Sequence, residues 1–264
     1  MNICVIIPAA GRGTRFGRDD KLARELSGRP VLMRSIEPFT RREEVGSIIV
    51  AGPPDDFDAF RERYGAALGF HGATLVEGGR SDRWETVRAA LSHVPEDATH
   101  VAVHDAARPL VDDELLDRLF TAARRLDAVV PAVDMTSTIK RIDPERTMDA
   151  GEEGDVLADS ILGDAGRLAV EARPIVETVD RRTIVATQTP QIFERSLLLR
   201  AYDAGASGVT DESQAVERLG ELVHVVPGDP LNIKITSEQD LELCQAILGS
   251  GRRKSAGGAD PFAP

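Results

Sequence analysis

The sequence predicts an α/β protein built on a doubly wound, mostly parallel sheet. Three observations carry that expectation. Short apolar runs recur along the first half of the chain, most are separated by stretches with apolar residues at three-and-four spacing, and each run closes on a turn. The strand-to-helix loops then collect at one edge of the sheet, where open α/β sheets bind ligands.

The first run, Asn2 to Ile7, is apolar almost throughout, as a strand covered on both faces must be, and it ends at Pro8. Further strands are expected at Ser47 to Val50, Ala73 to Val76, Thr99 to Val103 and Ala128 to Val133. Helices are expected at Val31 to Phe39, Asp55 to Leu68, Thr86 to Leu91 and Asp112 to Leu126, where charges separate the apolar positions. After Pro131 the rhythm breaks: about 135–182 reads as an excursion from the core, with a strand-like piece at Ser137 to Arg141 and an acidic, glycine-containing stretch. Helices at Glu194 to Ala204, Asp211 to Leu219 and Ser237 to Leu248, with a strand at Leu222 to Val226, restore the pattern. A single domain over 1–248 is expected, followed by a disordered tail at 249–264 rich in Gly, Ala, Arg and Ser.

With 264 residues and 42% hydrophobic content, the chain can bury a core without disulfides. A net charge of −12 argues against nucleic acid or an anionic membrane as partner, so any phosphate site must be local. Cys4 and Cys244 show no metal-ligand spacing and read as buried reduced thiols. No apolar run approaches the ~20 residues of a membrane span and the start lacks signal-peptide features, which makes the cytoplasm the expected location. Arginine supplies most of the positive charge. The lysines are Lys21, Lys140, Lys234 and Lys254, and a retained lysine marks a place suited to a compact point charge.

Two loops carry the candidate chemistry. Pro8-Ala9-Ala10-Gly11-Arg12-Gly13-Thr14-Arg15 follows the first strand. Its small residues let backbone amides approach a phosphate chain, and Arg15 can fork onto the oxygens. No GK[ST] follows and the third glycine of a dinucleotide fingerprint is missing, so the loop fits neither of those motifs and alone reads equally as a plain turn. His104-Asp105-Ala106-Ala107-Arg108-Pro109 closes the fourth strand. Asp105 there can ligate Mg²⁺ or accept from a hydroxyl and Arg108 can take a phosphate, or the two can form a structural brace. His104 reads as a packed residue that orients the loop, and Trp84 as a packing residue.

In order along the chain stand PAAGRGTR, GGRSDRWETV, HDAARP, STIKR, TVDR, TQTPQIF, TDES and NIKIT. Together they resemble the 2-C-methyl-D-erythritol 4-phosphate cytidylyltransferases of isoprenoid synthesis, from about Asn2 to Leu248. The resemblance implies a Rossmann-like nucleotidyltransferase fold with a protruding dimerisation arm. It implies that CTP binds against Pro8, Ala9, Ala10, Gly11 and Gly13, with Gly79 and Thr86 at the base and Asp105 and Ala106 close by. Arg15, Lys21, Arg181 and Lys234 match the family's catalytic positions, and Asp105, Arg108, Thr138, Arg181, Thr189 and Lys234 match its acceptor pocket. Mg²⁺ is implied as cofactor, held largely through the CTP phosphates, and the excursion corresponds to an arm exchanged within a homodimer. A polyol phosphate is the acceptor; ribitol 5-phosphate, or a nucleotide-binding module without turnover, are the rival readings.

Two departures from the family pattern stand out. Lys21 follows Arg15 by six residues rather than seven and is preceded by Asp20 in place of proline, so Asp19 and Asp20 are expected to weaken its hold on phosphate. The arm is longer than usual by an acidic insertion at about 145–173, which is expected to lie outside the site.

Overall fold

A computed structural model describes residues 1–11, 20–150 and 170–251. These divide into two units: 1–133 with the chain from 187 onward, and 134–186.

The first unit is the expected α/β sheet. β1 (Ile3–Pro8) pairs in parallel with β4 (Val45–Gly52) on one side and β6 (His100–Val103) on the other, and β4 pairs in parallel with β5 (Ala73–Glu77). Successive β1 side chains feed two different cores, as period-two alternation requires. Ile3, Val5 and Ile7 join one cluster with α1 (Val31–Ile36), α2 (Phe57–Phe70), α4 (Asp113–Ala123) and α7 (Glu238–Gly249). Cys4 and Ile6 join the other with α3 (Arg83–Leu91), α5 (Arg195–Asp203) and α6 (Glu212–Glu217). A strand sandwiched in this way must be apolar throughout. Cys4 and Cys244 are buried free thiols.

Several helix starts read one residue early in the sequence because the first residue is the cap. Asp112 accepts from the amide of Leu115, Asp211 from that of Gln214, and Ser237 from that of Asp240, which returns the bond as a capping box.

The sheet departs from a simple parallel order between β6 and β7 (Ala128–Asp134). β12 (Gln191–Glu194) inserts there, antiparallel to both. Its four residues carry too little periodicity to be read as a strand, although the chain around them is one of the quoted motifs. β13 (His224–Pro227) adds in parallel to β7. A short hairpin, β2 (Glu25–Leu26) with β3 (Arg29–Pro30), precedes α1, and its two-residue strands are too short to leave a period in the sequence.

The second unit is made of strand pairs: β8 (Ile139–Ile142) with β11 (Ile175–Val179), and β9 (Met148–Asp149) with β10 (Glu171–Ala172), both antiparallel. Lys140 donates to the Thr178 hydroxyl at 2.6 Å across the first pair. Ile142, Met148, Ile175 and Val176 are exposed on it. Most of the acidic insertion and the chain from 252 onward lie outside the described residues.

Candidate active site

Hydrogen bonds stitch the loops at the carboxyl edge of the sheet together. The Ala9 amide donates to the Ala51 carbonyl and the Gly78 amide to the Gly52 carbonyl, both at 2.8 Å, so the loops after β1 and β5 are pinned to the end of β4. The Gly79 amide donates to the Thr86 hydroxyl at 3.2 Å. Between these loops opens a cleft of about 410 Å³, walled by Pro8 to Gly11 on one side and by Gly79 to Arg83 with Thr86 on the other. Lys21, Asp105, Ala106 and Lys234 close it. Gly79 is required at its position: a Cβ there would come within 2.2 Å of the Glu85 Cβ and 2.7 Å of the Thr86 nitrogen.

Asp105 is the electrostatic centre. Its Oδ1 accepts from the Arg83 Nε at 3.2 Å, and its Oδ2 lies 2.9 Å from the Lys234 Nζ and accepts from the Arg108 Nε at 3.4 Å. Burial disfavours the charged carboxylate, but Arg83, then Lys234 and Arg108, outweigh it and hold the carboxyl below its usual range. With Glu212 also present, three cations face two carboxylates. The cluster keeps a net positive charge in a protein whose overall charge is negative, which is a local anion site.

A relay orients the Asp105 loop. The Asp105 amide donates to the Thr189 hydroxyl at 3.0 Å, and that hydroxyl meets the His104 Nδ1 at 3.2 Å. The His104 Nε2 lies 3.1 Å from the Arg108 carbonyl. Because that carbonyl only accepts, Nε2 carries the proton and Nδ1 accepts from Thr189. His104 is thus the packed loop-orienting residue expected, with its ring 5.1 Å from that of Phe39. The NIKIT segment is tied to the same loop: the Ile235 amide donates to the Ala107 carbonyl, and Arg108 Nη1 donates to the Asn232 carbonyl at 2.7 Å.

A family model for 2-C-methyl-D-erythritol 4-phosphate cytidylyltransferase matches residues 3–159 and 150–250. The chain belongs to that family. It is a cytidylyltransferase-family enzyme with a nucleotidyltransferase-like fold. The curated relative from Streptomyces coelicolor is 36% identical over 250 residues, covering 94% of this chain and 85% of the relative. That from Frankia casuarinae is 37% identical, covering 93% and 81%. Among solved structures, the 4-diphosphocytidyl-2C-methyl-D-erythritol synthase of Anaerococcus prevotii superposes with a TM-score of 0.71 at 28% identity, covering 94% of this chain and 98% of that one.

In this cytidylyltransferase the structure brings Pro8, Ala9, Ala10, Gly11, Lys21, Gly79, Thr86, Asp105, Ala106 and Lys234 to one cleft. Arg108 and Thr189 border an adjoining polar recess of about 200 Å³ shared with Asp105 and Lys234. Thr138 and Arg181 fall in the second unit, both exposed, and Arg181 donates from Nη1 to the Thr136 carbonyl. Arg15 and Gly13 lie outside the described residues.

Asp20 does not act as expected. Its Oδ2 accepts from Arg63 at 3.0 Å and from the Tyr64 hydroxyl at 2.9 Å, and its Oδ1 accepts from the Leu22 amide at 3.0 Å. Its charge is met by α2, and the carboxylate anchors the chain around Lys21, whose Nζ donates to the Ile235 carbonyl at 3.4 Å. Asp20→Ala is expected to change stability little, because the ion pair is half exposed. Turnover should fall by about 10-fold as Lys21 loses its mount. Steady-state pyrophosphate release set beside a thermal melt checks both.

Sequence reasoning missed Arg83 and Glu212. Arg83 donates to both Glu212 oxygens, at 2.6 and 3.0 Å. Both residues stand inside quoted motifs, GGRSDRWETV and TDES, which was the available signal, but nothing in a sequence pairs positions so far apart. Trp84 packs against the second core cluster, as its packing reading expected.

The buried His104 gives a pH signature. Burial lowers its pKa to about 4, partly opposed by Asp105. In the unfolded chain the ordinary value of about 6.5 applies, so the unfolded state binds more protons between the two. The contribution of neutral His104 to stability is therefore complete above about pH 6.5 and is lost as pH falls through about 4. The thermal midpoint of His104→Gln should accordingly change less between pH 7 and pH 5 than that of the unaltered protein. Parallel midpoint curves would contradict this assignment.

Proposed function

We propose that this enzyme joins CTP to 2-C-methyl-D-erythritol 4-phosphate, giving 4-diphosphocytidyl-2-C-methyl-D-erythritol and pyrophosphate. The observation that carries the reading is the Asp105 cluster, with Arg83, Arg108 and Lys234 around one carboxylate at the edge of a cleft lined by small residues. An oxygen of the acceptor phosphate attacks the α-phosphorus of CTP, and the bond to the β-phosphate oxygen breaks as pyrophosphate leaves. The nucleophile is already anionic, so no general base is needed and the work is positioning and charge stabilisation.

In this reading the loop Pro8 to Gly11 and Gly79 with Thr86 receive the nucleotide, and Arg15 and Lys21 meet the charge at the α-phosphate. Lys234 and Arg108 attract the acceptor while Asp105 accepts from its hydroxyls, with Thr189 holding the Asp105 amide in place. A divalent cation such as Mg²⁺ would neutralise charge on the triphosphate. Both Asp105 oxygens are already met by Arg83, Arg108 and Lys234, and no cluster of three or more His, Cys, Asp or Glu suited to a metal exists among the described residues. A cation held mostly by substrate phosphates is consistent with that donor set.

Thr138 and Arg181 complete the acceptor pocket from a second copy of the chain, with the arm exchanged in a homodimer. Support for this comes from the exposed Ile142, Met148, Ile175 and Val176, which a partner would cover. The single domain over 1–248 with its arm at about 135–182 belongs to the same reading. Action in the cytoplasm on small molecules belongs to the same reading; no helix among the described residues is long and apolar enough to cross a membrane.

Pyrophosphate release in the presence of CTP and Mg²⁺ tests the reading. Release should depend on 2-C-methyl-D-erythritol 4-phosphate and be far slower with ribitol 5-phosphate. Preference for ribitol 5-phosphate would transfer the assignment to that acceptor. CTP binding without release on either would make the chain a nucleotide-binding module.

A further inference from the structure

We infer that Glu212 is a positioning residue for cytidylyl transfer, acting through the forked Arg83 to set the orientation of the Asp105 carboxylate. The inference rests on the proposed role of Asp105 in the acceptor half of the site.

Glu212 opens α6, is fully buried, and lies outside the residues lining the cleft. A carboxylate so placed must be matched by charge and hydrogen bonds. Arg83 supplies two of these bonds from Nη1 and Nη2, and the Tyr202 hydroxyl donates a third to Oε1 at 3.2 Å. Burial disfavours the Arg83 cation, and Glu212 followed by Asp105 more than restores it, so the guanidinium stays charged.

The consequence is geometric. A guanidinium is planar, so fixing both terminal nitrogens on Glu212 also fixes where Nε points. That direction is Asp105 Oδ1, and with Oδ1 held, Oδ2 is left to face Lys234 and Arg108. Arg83 is also the first residue of α3, directly after the loop that walls the nucleotide side of the cleft. Glu212 thus braces the Asp105 side of the site from behind without reaching either substrate. A lysine at position 83 would keep the charge but not the fixed fork.

The test compares Glu212→Gln and Arg83→Lys with the unaltered enzyme, reading kcat, the KM for the acceptor, the dissociation constant for CTP and the thermal midpoint. Gln keeps the size of Glu but turns an N–H toward the Arg83 fork. For each variant kcat should fall and the acceptor KM should rise by about 10-fold or more, with CTP affinity within about 3-fold of normal. Residues acting as one unit are non-additive, so the double variant should lose little beyond the worse single one. Unchanged constants, equal losses for CTP and acceptor, or losses that multiply in the double variant would overturn the inference. If Glu212→Gln does not fold, the substrate split of Arg83→Lys decides alone. Absence of turnover in the unaltered enzyme would instead refute the proposed function, and this inference with it.

Discussion

Replacing Lys234 by alanine is expected to lower kcat/KM for the acceptor by about 10²–10³-fold, the usual cost of removing one preorganised charge donor. The side chain is 42% exposed, so its removal should leave the fold intact. Its Nζ is 2.9 Å from Asp105 Oδ2, and the backbone beside it is fixed by the bond from Ile235 to Ala107. The ammonium therefore stands at the carboxylate with little freedom, ready for an incoming phosphate. Lys234→Arg should recover only part of the loss, since a planar fork cannot reproduce a compact point charge. Stopped-time assays of pyrophosphate release at several acceptor concentrations measure this. A change of less than about 3-fold would remove Lys234 from the reacting groups.

Gly79→Ala is expected to act on the other substrate. The added Cβ would meet the Glu85 Cβ at 2.2 Å and the Glu85 carbonyl carbon and Thr86 nitrogen at 2.7 Å, so backbone has to move. The Gly79 amide would lose its bond to Thr86, and the wall of the cleft would shift outward. A displacement of about 1 Å in a positioning loop costs about 10²-fold, which should appear as a raised KM for CTP with the acceptor constant little changed. Calorimetric titration with CTP provides an independent reading. Normal CTP affinity would mean that the loop does not contact the nucleotide.

These two variants separate the halves of the site, and the Glu212 variants ask whether a buried strut sets the Asp105 carboxylate for the acceptor. Asp105 links them. Its carboxylate meets Arg83 from the nucleotide side and Lys234 and Arg108 from the acceptor side, so a change on either side is felt at one group.

The parallel sheet is legible along the chain, because a strand buried on both faces has to read as an unbroken apolar run, as Ile3 to Ile7 does. The family is legible too, since eight short motifs in one order leave little room for another. The loops after β1, β5 and β6 do converge on one cleft, as strand-to-helix loops at a sheet's carboxyl edge must. How the charges are paired is legible only in three dimensions. Asp20 looked like a competitor for Lys21 and is met by Arg63 and Tyr64. Thr189 looked like a free pocket hydroxyl and holds the Asp105 amide and the His104 ring. The partnership of Arg83 with Glu212 could not be read at all. Hydrophobic burial leaves a periodic trace along the chain, whereas an ion pair between distant residues depends on three-dimensional approach and leaves none.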